Sequence, residues 1–278
     1  MIRRSLLVFV LLVIVYAAYI AFLKPELNTA QHQASGNRIS AEQFLFSPHV
    51  TGSTVIVGSS LAFRIELDSL GPNTSNLSFG GLSVHDGLEL VRRSGKKPAR
   101  VVIETNMLFK EKDRGFLEAL FQPGLYEMRK VAPIMREENQ PTGVLVGMIK
   151  KRMKNTEDPA SAEPDSMSMS ENLFDTNRGI FAKVPADSTQ QRFLGMLKHE
   201  VQALEARGVQ VLFMEVPISA ELMTSPLAVR TRETVAQQFP NHPFIRSDRT
   251  WRTTDGLHLE WHNAQRFSAW LAQELAAL

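Results

Sequence analysis

Four short segments carry the residue types that acyl transfer needs. Gly58-Ser59-Ser60 follows the β-branched run Thr54-Val55-Ile56-Val57 and precedes a helical stretch. A serine there has its hydroxyl at the carboxyl edge of a sheet and its own N–H near a helix N-terminus, where a developing oxyanion is favoured. Asn76-Leu77-Ser78-Phe79-Gly80-Gly81 puts glycines after a second strand, where a backbone N–H can approach a substrate closely. In Glu104-Thr105-Asn106, Asn106 stands just past a third strand with a side-chain amide able to donate to the same oxyanion. Asp255-Gly256-Leu257-His258 spaces a carboxylate three residues from an imidazole across a tight turn. That spacing can set the carboxylate against Nδ1 and leave Nε2 facing the serine. Each segment alone is common in turns and caps; together, in the order Ser, Asp, His and at strand ends, they specify nucleophile, orienting acid and base.

The elements that must position them alternate strand and helix. Short apolar runs predict strands at 54–57, 76–79, 100–104 and 209–214, and helical spacing predicts helices at 61–70, 84–93, 191–207, 221–239 and 261–278. This is the pattern of a doubly wound α/β domain with a parallel sheet, whose sites form beyond the carboxyl ends of the strands. The domain is expected over 52–278. Residues 150–172, with Lys150-Lys151-Arg152, two prolines and Ser166-Met167-Ser168-Met169-Ser170, read as a mobile insertion within it, too polar to bury a core. No fixed-period repeat suggests a solenoid.

Ahead of the domain, Ser5 to Leu23 is a 19-residue run in which Ser5 alone is polar, long enough to cross the hydrocarbon core. Arg3 and Arg4 precede it and Lys24-Pro25 follows, a bias that favours a cytoplasmic N-terminus and an extracytoplasmic remainder. A cleaved signal peptide is the competing reading, but the small residues around Ala17-Ala18 sit inside apolar sequence and make a poor cleavage site. The expected organisation is therefore a signal anchor at 1–24, a membrane-proximal stalk at 25–51 and the α/β domain beyond.

Arg3 and Arg4 also account for the whole formal net charge of +2. The remainder is neutral and shows no global pull toward nucleic acid. The absence of cysteine excludes a disulfide framework, a thiol nucleophile and thiolate metal sites. His258 and His262 have the four-residue spacing of a zinc pair, yet a metal site needs a third strong ligand and no other histidine cluster exists, so neither metal nor cofactor is expected. His85, just past the second segment, is a candidate lining of the cleft, with a partly exposed helix residue as the plainer reading. Trp251 is a candidate stacking platform for a sugar ring, whereas Trp270 suits the core. The cluster Arg92, Arg93, Lys96, Lys97 and Arg100 reads as a solvated loop.

The four segments together resemble the SGNH (GDSL-type) hydrolase superfamily from about Val55 to Leu259. The resemblance implies a three-layer α/β/α flavodoxin-like fold. It implies Ser60 as nucleophile with Asp255 and His258 completing the triad, and an oxyanion hole from the Ser60 N–H, Gly81 and Asn106. The family's glycine lies five residues after an asparagine, which from Asn76 lands on Gly81, with Gly80 as the fallback. Two positions depart from the pattern: Ser59 stands where an aspartate is usual, and Glu104-Thr105-Asn106-Met107 replaces Gly-x-Asn-Asp. Both variants resemble the membrane-anchored branch that O-acetylates bacterial exopolysaccharide and cell-envelope polymers. That branch implies a periplasmic domain tethered to the inner membrane, a polysaccharide or small acyl-ester substrate, and an acyl group supplied by a polytopic membrane acyltransferase. An SGNH-type esterase or deacetylase, and a non-catalytic scaffold subunit of an acetylation complex, are the alternatives.

Overall fold

The computed structural model describes residues 2–23, 27–48, 52–154 and 170–278. Its elements in chain order are α1 (Ile2–Leu23), α2 (Gln33–Phe46), β1 (Thr54–Gly58), α3 (Ser60–Phe63), α4 (Leu67–Leu70), β2 (Thr74–Ser78), α5 (Val84–Arg93), β3 (Arg100–Glu104), α6 (Arg114–Leu120), α7 (Leu125–Val131), 3₁₀ turns at Pro133–Met135 and Glu137–Asn139, α8 (Pro141–Lys154), α9 (Glu171–Phe181), α10 (Asp187–Glu205), β4 (Gln210–Glu215), α11 (Ala220–Met223), α12 (Pro226–Gln238), β5 (Phe244–Arg246) and α13 (Trp261–Ala277).

Val and Ile fill the middles of β1 and β3, and the apolar run Val211–Met214 fills that of β4, as a strand covered on both faces requires. All pairings are parallel, in the order β2-β1-β3-β4-β5. Alternate residues serve opposite faces. Ile56, Val102, Leu212 and Met214 join one buried cluster with Leu61, Phe174, Phe267 and Leu271. Val57 points the other way, toward α5, where a Cβ at Gly87 would lie 2.8 Å from the Leu77 carbonyl oxygen and 3.1 Å from Val57 Cβ. The chain order reverses between β1 and β3, and open α/β sheets gather ligands in the crevice at such a switch point.

Several boundaries differ from the expected ones for local reasons. The helix expected over 61–70 breaks into α3 and α4, because the Asn76 amide takes the Ala62 and Ile65 carbonyls and Glu66 turns extended. That expected over 221–239 breaks before Pro226, which opens α12 with Ser225 as its cap. The second strand begins two residues early, and β5 is a three-residue edge strand too short to show a period.

The chain divides into two compact units, Met1–Phe46 with Gly115–Ala162 and Ser47–Arg114 with Glu163–Leu278. This division differs from a domain running continuously over 52–278. The sheet belongs entirely to the second unit. In the first, part of the expected stalk is helix α2, whose buried Glu42 pairs with Arg129 at 3.3 Å and accepts the Glu137 N–H at 2.6 Å. Its α1 is long and apolar enough to cross a membrane. Of the expected 150–172 insertion, residues 155–169 lie outside the described residues; the ends on either side belong to α8 and α9.

Packing of α5 on β1 sets the expected outcome for Gly87→Ala. The overpacking cost of about 1–3 kcal/mol should exceed the roughly 1 kcal/mol gained in helix propensity. Denaturant unfolding should therefore show a lower midpoint, where an open surface glycine would show a higher one.

Candidate active site

Ser60 is the first residue of α3, two residues past β1. The turn between them is held by Ser59, whose Oγ accepts the Leu61 N–H at 3.3 Å and caps the helix. The same hydroxyl donates to Glu104 Oε2 at 2.7 Å, and the Ser59 N–H donates to that oxygen at 2.5 Å. Glu104 ends β3 and is buried. A Cβ at Gly58 would meet Glu104 Oε2 at 2.7 Å, so glycine is what lets the carboxyl slide beneath the turn. Burial pushes the Glu104 carboxyl up from its ordinary range, while the two Ser59 donors and backbone N–H groups oppose that rise. The two departures from the family pattern, Ser59 and Glu104, thus form one hydrogen-bonded unit.

The acid and base come from the loop before α13. His258 Nε2 lies 2.9 Å from Ser60 Oγ, and His258 Nδ1 lies 2.7 Å from Asp255 Oδ2. The other carboxylate oxygen accepts the N–H groups of His258 at 2.8 Å and Leu257 at 3.0 Å. Burial alone would raise the Asp255 carboxyl; the ring and backbone donors of His258, with the Leu257 N–H, outweigh it and lower it to about 2. An ionised Asp255 accepts from Nδ1–H and leaves the Nε2 lone pair directed at the serine hydroxyl.

The loop keeps this geometry because it is closed and supported. Thr253 bridges Leu259, and the Thr254 N–H donates to the His258 carbonyl at 2.8 Å. Gly256 has φ of +85°, and a Cβ there would lie 2.4 Å from the Phe174 ring. Asn177 of α9 donates its amide to the Asp255 carbonyl at 2.9 Å. Sequence reasoning missed Phe174 and Asn177, which lie about 80 residues away and carry no local signal. Glu104 was visible only as a departure from the pattern.

β2 and β3 flank β1, so Gly81 and Asn106 stand on either side of Ser60 at one sheet edge. Gly81 has φ of +75°, a conformation that glycine adopts without strain, and its carbonyl accepts from Lys110. Asn106 is pinned to β4: its Oδ1 accepts the Val216 N–H and its Nδ2 donates to the Val216 carbonyl, both at 2.8 Å. Among the described residues, no acceptor takes the Ser60 N–H, the Gly81 N–H or the second Asn106 amide hydrogen. Preorganised donors of this kind are what a tetrahedral oxyanion needs.

Two expected substrate contacts fall elsewhere. Trp251 is 5% exposed, edge-on to Phe267, with its indole N–H given to Ser247 Oγ at 2.9 Å; it is a core residue with no face for a sugar. His85 is 1% exposed, its Nε2 3.0 Å from the Leu108 carbonyl and its ring stacked on Phe193. Burial is the main cause that lowers it to about 4, so it stays neutral inside the fold and does not line the cleft. His262 is exposed on α13. The exposed aromatics near the triad are instead Phe63, at 50%, and Trp261, at 55%. They wall a groove of about 490 Å³ together with Arg64, Thr254 and Glu260. Arg64 bonds to the Leu259 carbonyl, tying this wall to the His258 loop.

No protein-family model matches the chain and no curated protein matches it in sequence.

Removing the Glu104 carboxyl should leave the buried Ser59 N–H unpaired, at a cost of about 1–3 kcal/mol. Glu104→Ala is expected to lower the denaturant midpoint accordingly. Glu104→Gln, which keeps an acceptor oxygen, should recover most of the loss, and equal losses in both variants would show that the charge matters more than the hydrogen bonds.

Proposed function

We propose that the protein is a membrane-anchored serine acyl-transfer enzyme of SGNH type, with a flavodoxin-like α/β/α domain, that O-acetylates an extracytoplasmic polysaccharide. The observation that carries the reading is the continuous contact Asp255–His258–Ser60, with donors on both sides of the serine. Ser60 Oγ attacks the acyl carbonyl while its proton passes to His258 Nε2, and Asp255 stabilises the imidazolium. The tetrahedral oxyanion is met by the Ser60 and Gly81 N–H groups and the Asn106 amide. Collapse breaks the acyl–oxygen bond of the donor, whose leaving group takes the proton from His258. In the second half a sugar hydroxyl gives its proton to His258 and attacks the acyl-enzyme, regenerating Ser60.

Support for a saccharide acceptor comes from the Trp261 and Phe63 groove. Phe63 is three residues past Ser60 and Glu260 two past His258, so the groove lies within reach of the reacting hydroxyl. Aromatic faces and a carboxylate at the rim suit a sugar ring. The site takes over the role first expected of Trp251. The apolar α1 and the two arginines before it favour a cytoplasmic N-terminus, with the catalytic domain on the periplasmic side of the inner membrane. There, a polytopic membrane acyltransferase would hand over the acyl group.

Turnover of a small acetyl ester, with neutral oligosaccharides added as acceptors, tests the proposal. Acetylated oligosaccharide is the expected product; acetate alone, whatever the acceptor, would make the protein an esterase. Asn106→Ala should lower kcat by about 10²–10³-fold and Asp255→Asn by about 10⁴-fold. Since the Asp255 carboxyl is held down at about 2, its own protonation should cost no activity until the pH approaches that value. A loss of activity traced to protonation of Asp255 near the ordinary carboxylate range would contradict the assignment.

A further inference from the structure

The first compact unit carries an apolar surface that the catalytic site does not use. On α8, Leu145, Met148 and Ile149 are 40–60% exposed at i, i+3 and i+4, and Val131 stands exposed just ahead of the 3₁₀ turns. The opposite side of α8 is glycine-lined and packed: a Cβ at Gly143 would lie 2.8 Å from the Thr29 carbonyl oxygen, and one at Gly147 would lie 3.0 Å from Leu27 Cβ. Residues 27–29 follow the end of α1 at Leu23 by only a few positions, so α8 sits beside the point where the chain leaves α1. Lys150 donates to the Ala30 carbonyl at 3.1 Å, and Lys151 is exposed beside it.

The depth of the segment that leads into α8 follows from one contact. Tyr16 donates its hydroxyl to the Asn139 carbonyl at 2.8 Å, and the turn Pro133–Met135 packs against α1. Tyr16 lies about 10 Å along the helix axis before Leu23, at 1.5 Å per residue. If everything after Val15 stood in water, only about 21 Å of helix would remain for a hydrocarbon core of about 30 Å. The segment bonded to Tyr16 therefore has to sit in the interface. Tyr16 and Tyr19, stacked at 6.3 Å, are of the residue type that gathers at headgroup level. The remaining depth matches the roughly 5–10 Å to which interfacial helices are immersed.

We propose that α8 and the 131–135 segment form an interfacial face that seats the first unit on the bilayer, with anionic phospholipid headgroups beside Lys150 and Lys151 as partner. The proposal rests on the reading of α1 as a membrane span. It makes the anchor a collared helix with a lipid-facing foot, which would fix the height of the unit above the membrane. Apolar side chains with flanking lysines suit acyl chains and anionic headgroups together.

The chain has no cysteine, so single cysteines can be introduced into an otherwise unaltered protein. Spin labels at Leu145→Cys and Ile149→Cys, with Glu118→Cys as a polar exposed reference, are to be read in the full chain reconstituted in phosphatidylethanolamine–phosphatidylglycerol vesicles. Labels at 145 and 149 should collide with oxygen in preference to a water-soluble nickel chelate and report a depth of about 5–10 Å below the phosphates; the label at 118 should prefer nickel. Nickel access at 145 and 149 equal to that at 118 overturns the proposal. Shielding from both reagents also overturns it, by assigning the face to a protein. Carbonate extraction of the same vesicles reads the span separately: retained protein with water-exposed labels defeats the interfacial face alone, whereas extracted protein defeats the span and the face together.

Discussion

The hydrogen bond between His258 Nε2 and Ser60 Oγ joins groups 198 residues apart in the chain, and it is worth something only if both ends arrive already fixed. Most of what surrounds it serves that end. On the serine side, the parallel pairing of β1 with β2 and β3 brings three strand ends to one edge, and Glu104 clamps the turn from beneath. On the histidine side, a closed loop is pinned by α9 through Asn177 and crowded by Phe174 at Gly256. A shift of about 1 Å at either end can cost on the order of 10²-fold in rate. Rigidity of two unrelated supports is thus the constraint that the catalytic reading depends on.

The carboxyl of Glu104 illustrates how such a support is built. It is buried without a cation among its described partners, so it relies on the Ser59 donors and nearby N–H groups for compensation. Gly58 exists to admit it. Asp255 solves the opposite problem: its donors are numerous enough to hold its carboxyl down at about 2, so that in the proposed mechanism the histidine tautomer would stay constant.

Much of the site was legible because its residues stand next to strong strand signals. The runs 54–57 and 100–104 are centred on Val and Ile and 209–214 is apolar but for Gln210, and Ser60 and Asn106 follow the first two closely. Asp255 and His258 were legible only beside the other three segments, because a carboxylate three residues from an imidazole is by itself as common in a cap. Helix α2 was not, since it buries Ser35, Asn37 and Glu42, the last of them paired with Arg129 and the Glu137 N–H, so hydrophobic periodicity gives no warning of it. The same long-range pairing hid the first unit, whose residues read as anchor, stalk, and part of the continuous domain with its insertion. Trp251 and Trp261 flank the Asp-His segment almost equally in sequence, and only the fold reveals that the first faces Phe267 while the second faces solvent.

The most direct test of the central claim is covalent. A fluorophosphonate reacts with a serine only when a base activates it, and the product can be located by peptide mass spectrometry. Labelling at Ser60 alone, lost in His258→Ala and in Ser60→Ala, is the predicted result. A folded protein that takes no label at Ser60, or that labels equally without His258, would contradict the account.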